Sequence, residues 1–193
     1  SRLADESIDE NAPDPEPEWV SLFYEYCKTS TTEQMQRLWG AILAQKIRSP
    51  QTGKPLTLHC LRMLTFSSAT LFDSLCKMAV RTQDKVFVLR ELVEHYEYGD
   101  LLELENVGLI NADRSIGFYT RNWWDRYPQI GSNTLELVHF EKDSPLIKAI
   151  PFTAAGIELY YLVGQSEDDE YLERNISIFA DHNVLKSKDY RAA

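Results

Sequence analysis

The sequence contains no apolar run approaching the roughly 20 residues that a membrane-spanning helix needs. Cysteine is scarce, with three in 193 residues: Cys27, Cys60 and Cys76. Their odd number, each inside an apolar helical pattern, argues against a disulfide framework. It points to reduced core or near-core thiols in a cytosolic protein. Closely spaced Cys or His pairs, which a zinc site needs, are missing. His59-Cys60 comes nearest, and neighbours on a helix point in different directions. No metal and no cofactor are therefore expected. The turn at residues 49–56 (SPQTGKPL) holds Gly53 and Lys54. It follows a helix pattern, though, and lacks the first glycine and the Ser/Thr of a phosphate-binding loop. No serine sits in a nucleophile elbow, and His59, His95, His139 and His182 are scattered. His139 has Glu141 and Asp143 within reach of its strand pattern, as many surface histidines do. Positive charge is short too: 20 Lys and Arg against 30 Asp and Glu, a net −10. That balance gives no general attraction to nucleic acid or anionic lipid, although a local basic patch remains open. Residues 1–18 are polar and acidic, without a signal-peptide pattern, which implies the cytoplasm. Ser1 in place of an initiator Met implies a trimmed or internal fragment.

What is present is helical periodicity. Residues 30–48 (STTEQMQRLWGAILAQKIR) place Met35, Leu38, Trp39, Ile42, Leu43 and Ile47 on one face. Ser30 and Glu33 stand in capping-box spacing ahead of that stripe. Gly40 sits in the middle, and its cost there predicts the close approach of another helix, from residues 18–28 or 67–81. Residues 18–28 (EWVSLFYEYCK) form a first helix, with Trp19 and Trp39 as mutual core anchors. Thr57 caps a short helix over 58–64, and Ser67 a longer one to about residue 81. Ahead of all this, residues 1–17 are an acidic, Pro-rich linker or tail.

The pattern changes after Gln83. Residues 85–89 (KVFVL) read as a strand, 91–98 are ambiguous, and 100–107 read as a helix with Asp100 as its cap and Gly108 as its stop. Segments 116–121, 133–141 and 146–152 are strand candidates. Thr153 caps a helix over 154–163. Ser166 begins a last helix, 167–182, whose acidic start EDDE suits the helix dipole better than a cation site. The fold class is α+β, mostly helical. A four-helix assembly (18–83) precedes a winged-helix-like unit (84–182) with an enlarged wing, and 183–193 are a tail.

Three motifs carry a resemblance: LWGAILA at 38–44, LENVGLI at 104–110 and FTAAGIEL at 152–159. Together they resemble a bacterial family of conserved domains of unknown function, with LW-x-x-ILA, LE-x-x-GLI and LT-x-x-G-x-EL in that order, across residues 18–182. The chain departs from it at Phe152, usually Leu, and in a longer turn around Gly53. That family is similar, more remotely, to alpha-type abortive-infection proteins. The resemblance implies a place in phage defence or its control, and brings no catalytic residue with it.

Three functions follow in order. The first is a non-catalytic protein-interaction or scaffold module. Residues 121–130 (RNWWDRYPQI) set two adjacent tryptophans between strand candidates. Adjacent residues on a strand face opposite sides. One of Trp123 and Trp124 then stays accessible, with Tyr127 and Arg121, as an anchor for a protein partner or a second copy. The second is nucleic-acid binding, with Arg114, Arg121 and Arg126 in the wing. The helix in the recognition position opposes it, offering Asp100, Glu103 and Glu105 and no Lys or Arg. The third is an enzyme whose site is assembled from distant residues.

Overall fold

The structure is a computed structural model. It describes residues 14–113, 115–119, 128–136, 145–163, 169–185 and 191–192. The chain divides into two compact units, Ser1–Met63 and Leu64–Ala193.

The first unit holds α1 (Pro17–Cys27), α2 (Glu33–Arg48) and α3 (Pro55–Met63). Proline opens both α1 and α3, where its missing N–H costs nothing. So α3 starts at Pro55 rather than after Thr57, and Thr57 is a buried residue inside it. The start of α2 also lies later than its sequence suggests. Thr32, not Ser30, is the cap, its hydroxyl accepting the Met35 N–H at 3.4 Å. Ser30 instead presents its carbonyl to the Gln36 side chain at 3.3 Å.

Trp19, Phe23, Trp39 and Ile42 are buried at the centre of this unit. The two tryptophans meet through Phe23, which stacks on Trp19 at 5.3 Å and lies edge-on to Trp39 at 5.5 Å. Lys46 is buried beside them. Its ammonium donates to the Pro50 carbonyl at 2.5 Å, pairs with Glu16 at 3.3 Å and lies 5.4 Å from the Trp19 ring centre. The Trp19 indole N–H donates to the Gly53 carbonyl. The turn after α2 is thus bound inward, and Thr52 closes it with a 2.7 Å bond to the Ser49 carbonyl. Gly40 does not mark a helix crossing. It is exposed, and a Cβ built there meets nothing within 4 Å.

The second unit is an antiparallel sheet with helices. In chain order it comprises α4 (Phe66–Met78), β1 (Val80–Arg81), β2 (Val86–Leu89), a 3-10 turn (Arg90–Val93), α5 (Tyr98–Val107), β3 (Gly117–Tyr119), β4 (Gln129–Ile130), β5 (Asn133–Thr134), β6 (Leu146–Pro151), α6 (Ala154–Val163), α7 (Asp169–Asp181) and β7 (Arg191–Ala192). The strand order is β3-β6-β2-β1-β4-β5-β7. Central β2 is buried on both faces and pairs with β6 from Phe87↔Pro151 to Leu89↔Ala149. Thr65 and Ser68 form a reciprocal capping box at α4, so the cap is not Ser67. Helix α5 begins at Tyr98, with Glu97 at its cap position and no side-chain cap bond, which moves Asp100 from the cap into the first turn. Arg191–Ala192 pairs with β5 where the sequence suggested only a tail.

Helix α4 packs on α5, α6, α7 and β2. Helix α4 thus lies in the second compact unit, Leu64–Ala193. Asn175 of α7 is fully buried because its amide donates to the carbonyls of Met78, at 3.2 Å, and Tyr171, at 2.8 Å.

Two of the sequence motifs form one joint. Gly108 ends α5 in the left-handed conformation. The next carbonyl, of Leu109, accepts the Thr153 N–H at 3.0 Å, while the Thr153 hydroxyl donates to the Gly108 carbonyl at 2.6 Å. That hydroxyl also accepts the Gly156 N–H at 3.1 Å, capping α6 as its sequence predicts. Gly156 must be glycine here, since a Cβ would lie 2.0 Å from the Leu109 oxygen. Glu105 closes the turn from the other side by accepting the Ala112 N–H at 2.9 Å.

Candidate functional site

The six residues singled out for function from sequence, Arg114, Arg121, Trp123, Trp124, Arg126 and Tyr127, all lie outside the described residues. Their described neighbours show how the flanks are set. In β3, Phe118 rests against Phe87 at 5.3 Å with the Lys85 ammonium 4.5 Å from its ring, and Tyr119 is exposed. Pro128 is buried beyond the undescribed stretch, and the Arg81 guanidinium donates to the Gln129 side chain.

Among the described residues no three His, Cys, Asp or Glu side chains gather to hold a metal ion. Of the acidic run at 167–170, Asp169 and Glu170 open the first turn of α7, and the other two residues lie outside the description, as does His139. Cys60 and Cys76 are buried thiols whose pKa is pushed up by desolvation, which keeps them protonated and poor nucleophiles. His182 is 3.2 Å from a Glu91 oxygen and links the end of α7 to the 3-10 turn. Among the described residues no helix is long and apolar enough to cross a membrane.

A cleft of about 330 Å³ does open in the second unit. Its floor is apolar: Val93 from the 3-10 turn, Leu101 from α5, and Ala149 and Ile150 from β6. Arg90, Glu94, Tyr96 and Asp113 form the rim. Burial raises the Tyr96 pKa, against a hydrogen bond from Ser74, so the phenol stays a neutral hydrogen-bonding group. Asp113 is held below the usual carboxylate range by the Ser115 N–H and then its hydroxyl, both at 2.8 Å. It is therefore a fixed negative charge at neutral pH. The cleft joins four separate stretches of chain. Only one signal in the sequence pointed towards it: between residues 90 and 116, seven carboxylates stand against two guanidinium groups, those of Arg90 and Arg114. At about 330 Å³ it falls at the small end of ligand pockets, which run on the order of 300–1,000 Å³. It accommodates a small group beneath a charged rim.

Comparison with curated proteins and with solved structures finds no match for the chain. One family model does match, over residues 2–120, which takes in the first unit and the second as far as β3. The match covers more than half of the sequence, and the chain belongs to the family described as "Protein of unknown function (DUF2806)".

Proposed function

We propose that the chain is a non-catalytic protein-interaction module whose second unit is organised like a winged helix. The order β3-β6-β2, with α4 and α5 preceding β3 in the chain, supports that arrangement. The charge of α5 carries the interaction reading. A winged-helix reader offers cations to phosphate from its recognition helix, whereas α5 has Asp100, Glu103 and Glu105 and no Lys or Arg. Two of these carboxylates already serve the fold: Glu105 accepts from Ala112, and Glu103 from the Thr65 hydroxyl at 3.1 Å. Trp123, Trp124, Tyr127 and Arg121 supply the aromatic anchors of the reading, with a protein partner or a second copy as their target. Trp123→Ala combined with Trp124→Ala is expected to weaken partner capture or self-association while the melting temperature holds. A large loss of stability with unchanged assembly assigns both rings to the core and overturns the reading.

Nucleic-acid binding is the second reading, favoured by the same strand order and carried by Arg114, Arg121 and Arg126. It requires salt-dependent binding to a mixed oligonucleotide pool that disappears on Arg121→Glu; no binding at low salt removes it. The part in phage defence implied by the family resemblance is tested by plaque counts on a host with and without the gene. Equal counts across a phage panel reject it.

A further inference from the structure

We infer that the cleft between the 3-10 turn, α5 and β6 is a docking groove for a basic segment of a partner protein, anchored by an apolar side chain. This inference rests on the interaction reading and names the partner's chemistry.

Four observations lead to it. The buried side chains of Val93, Leu101, Ala149 and Ile150 line one part of the cleft with carbon, beside the polar groups of Arg90, Glu94, Tyr96 and Asp113. The volume, about 330 Å³, suits an aliphatic or aromatic side chain or two rather than a large cofactor. On the rim, Glu94 is exposed and Asp113 is held ionised by the two bonds from Ser115. Of the cleft's charged lining residues, Glu94 and Asp113 outnumber Arg90, and along the sequence the 90–116 segment that supplies most of the lining carries seven carboxylates against two arginines. A partly apolar cleft whose rim is net acidic favours a ligand with an apolar centre and cationic flanks. The same field disfavours the other occupants. Phosphate backbones and anionic lipid are repelled, and so is a second copy of this chain, which carries a net −10 of its own.

The test uses the whole chain and a short fluorescent peptide with paired leucines flanked by lysines. One control peptide replaces the lysines by glutamate, and the other replaces the leucines by serine. Methyl chemical shifts of Ala149, Ile150, Val93 and Leu101 report the floor, and fluorescence anisotropy reports affinity. The lysine–leucine peptide is expected to move the floor methyls and to bind more weakly as salt rises. Both control peptides, and the Glu94→Lys protein with the original peptide, are expected to lose on the order of tenfold in affinity. Asp113→Asn provides a second, gentler reduction of the field should Glu94→Lys disturb the turn. Unmoved floor methyls at saturating peptide overturn the inference. Equal binding of the serine control does so too, because it reduces the effect to diffuse charge. If the tryptophan pair proves necessary for a partner while the floor methyls stay still, the cleft inference alone fails. If the methyls move but the tryptophan variant assembles normally, only the role of those aromatic anchors is lost.

Discussion

Two glycines show how differently one residue type acts in this chain. Gly40 is an exposed position of α2 with open space where a side chain would go. Gly40→Ala is therefore expected to stabilise the first unit by about 0.5–1 kcal/mol, the helix-propensity difference alone. At Gly156 the Leu109 oxygen occupies the space of a Cβ. Gly156→Ala must push α6 away from the turn after α5, at a cost of about 3 kcal/mol or more. Urea unfolding midpoints of both variants check the pair. An unchanged midpoint for Gly156→Ala refutes the close approach, and a destabilised Gly40→Ala refutes the open one. Propensity marks both glycines as costly within helices, and only the position of a distant carbonyl tells them apart.

At the scale of elements, the joint between α2 and its following turn depends on one buried cation. Lys46 serves the Pro50 carbonyl, Glu16 and the Trp19 ring together. Lys46→Met keeps most of the carbon stem over the indole but removes the donor. We expect it to cost about 1.5–3 kcal/mol, the range for a hydrogen bond to a charged group. The same substitution should alter the pH dependence. Glu16 titrates below the usual carboxylate range, chiefly through a backbone hydrogen bond and then through Lys46. A depressed folded-state pKa contributes stability that is present above the unfolded-state pKa and lost as pH falls through the folded one. Asp113 has the same sign. Stability should thus fall as pH drops below the ordinary carboxylate range. Lys46→Met should flatten that fall by removing Lys46's share of the Glu16 effect, as measured by thermal melts from neutral to acid pH. An identical acid slope in the variant refutes the coupling.

For the whole chain, the division at Met63 makes a prediction about fragments. Residues 64–193 keep α4 under the sheet and should unfold cooperatively on their own. Residues 84–193 lose Phe72, Leu75 and Met78, all buried, together with β1, the partner of β2, and should not fold. Circular dichroism melts of the two fragments decide between this division and one near residue 83. The family match spans residues 2–120 and so ends within the second unit, at the edge strand β3. The partner strand of β3 is β6, from Gly117↔Lys148 to Tyr119↔Leu146.

The sequence by itself determined what local physics governs. The helical stripes of α1, α2, α4 and α7, the stop at Gly108, the cap at Thr153 and the acidity of α5 all follow from neighbours within a turn or two. The observed starts differ from Ser30, Thr57 and Ser67 because several Ser or Thr residues, or a proline, compete at each of those starts; α5 starts ahead of Asp100 with Glu97 at its cap position and no side-chain cap bond. Tertiary structure alone decided what depends on distant residues. It assigned α4 to the sheet, tied the α5 turn to the start of α6, and turned Lys46 inward. It also brought Val93, Leu101, Ala149 and Ile150 beneath Glu94 and Asp113. Residues far apart in the chain meet only when the sheet registers β2 on β6, and no period of hydrophobicity along the chain records that pairing.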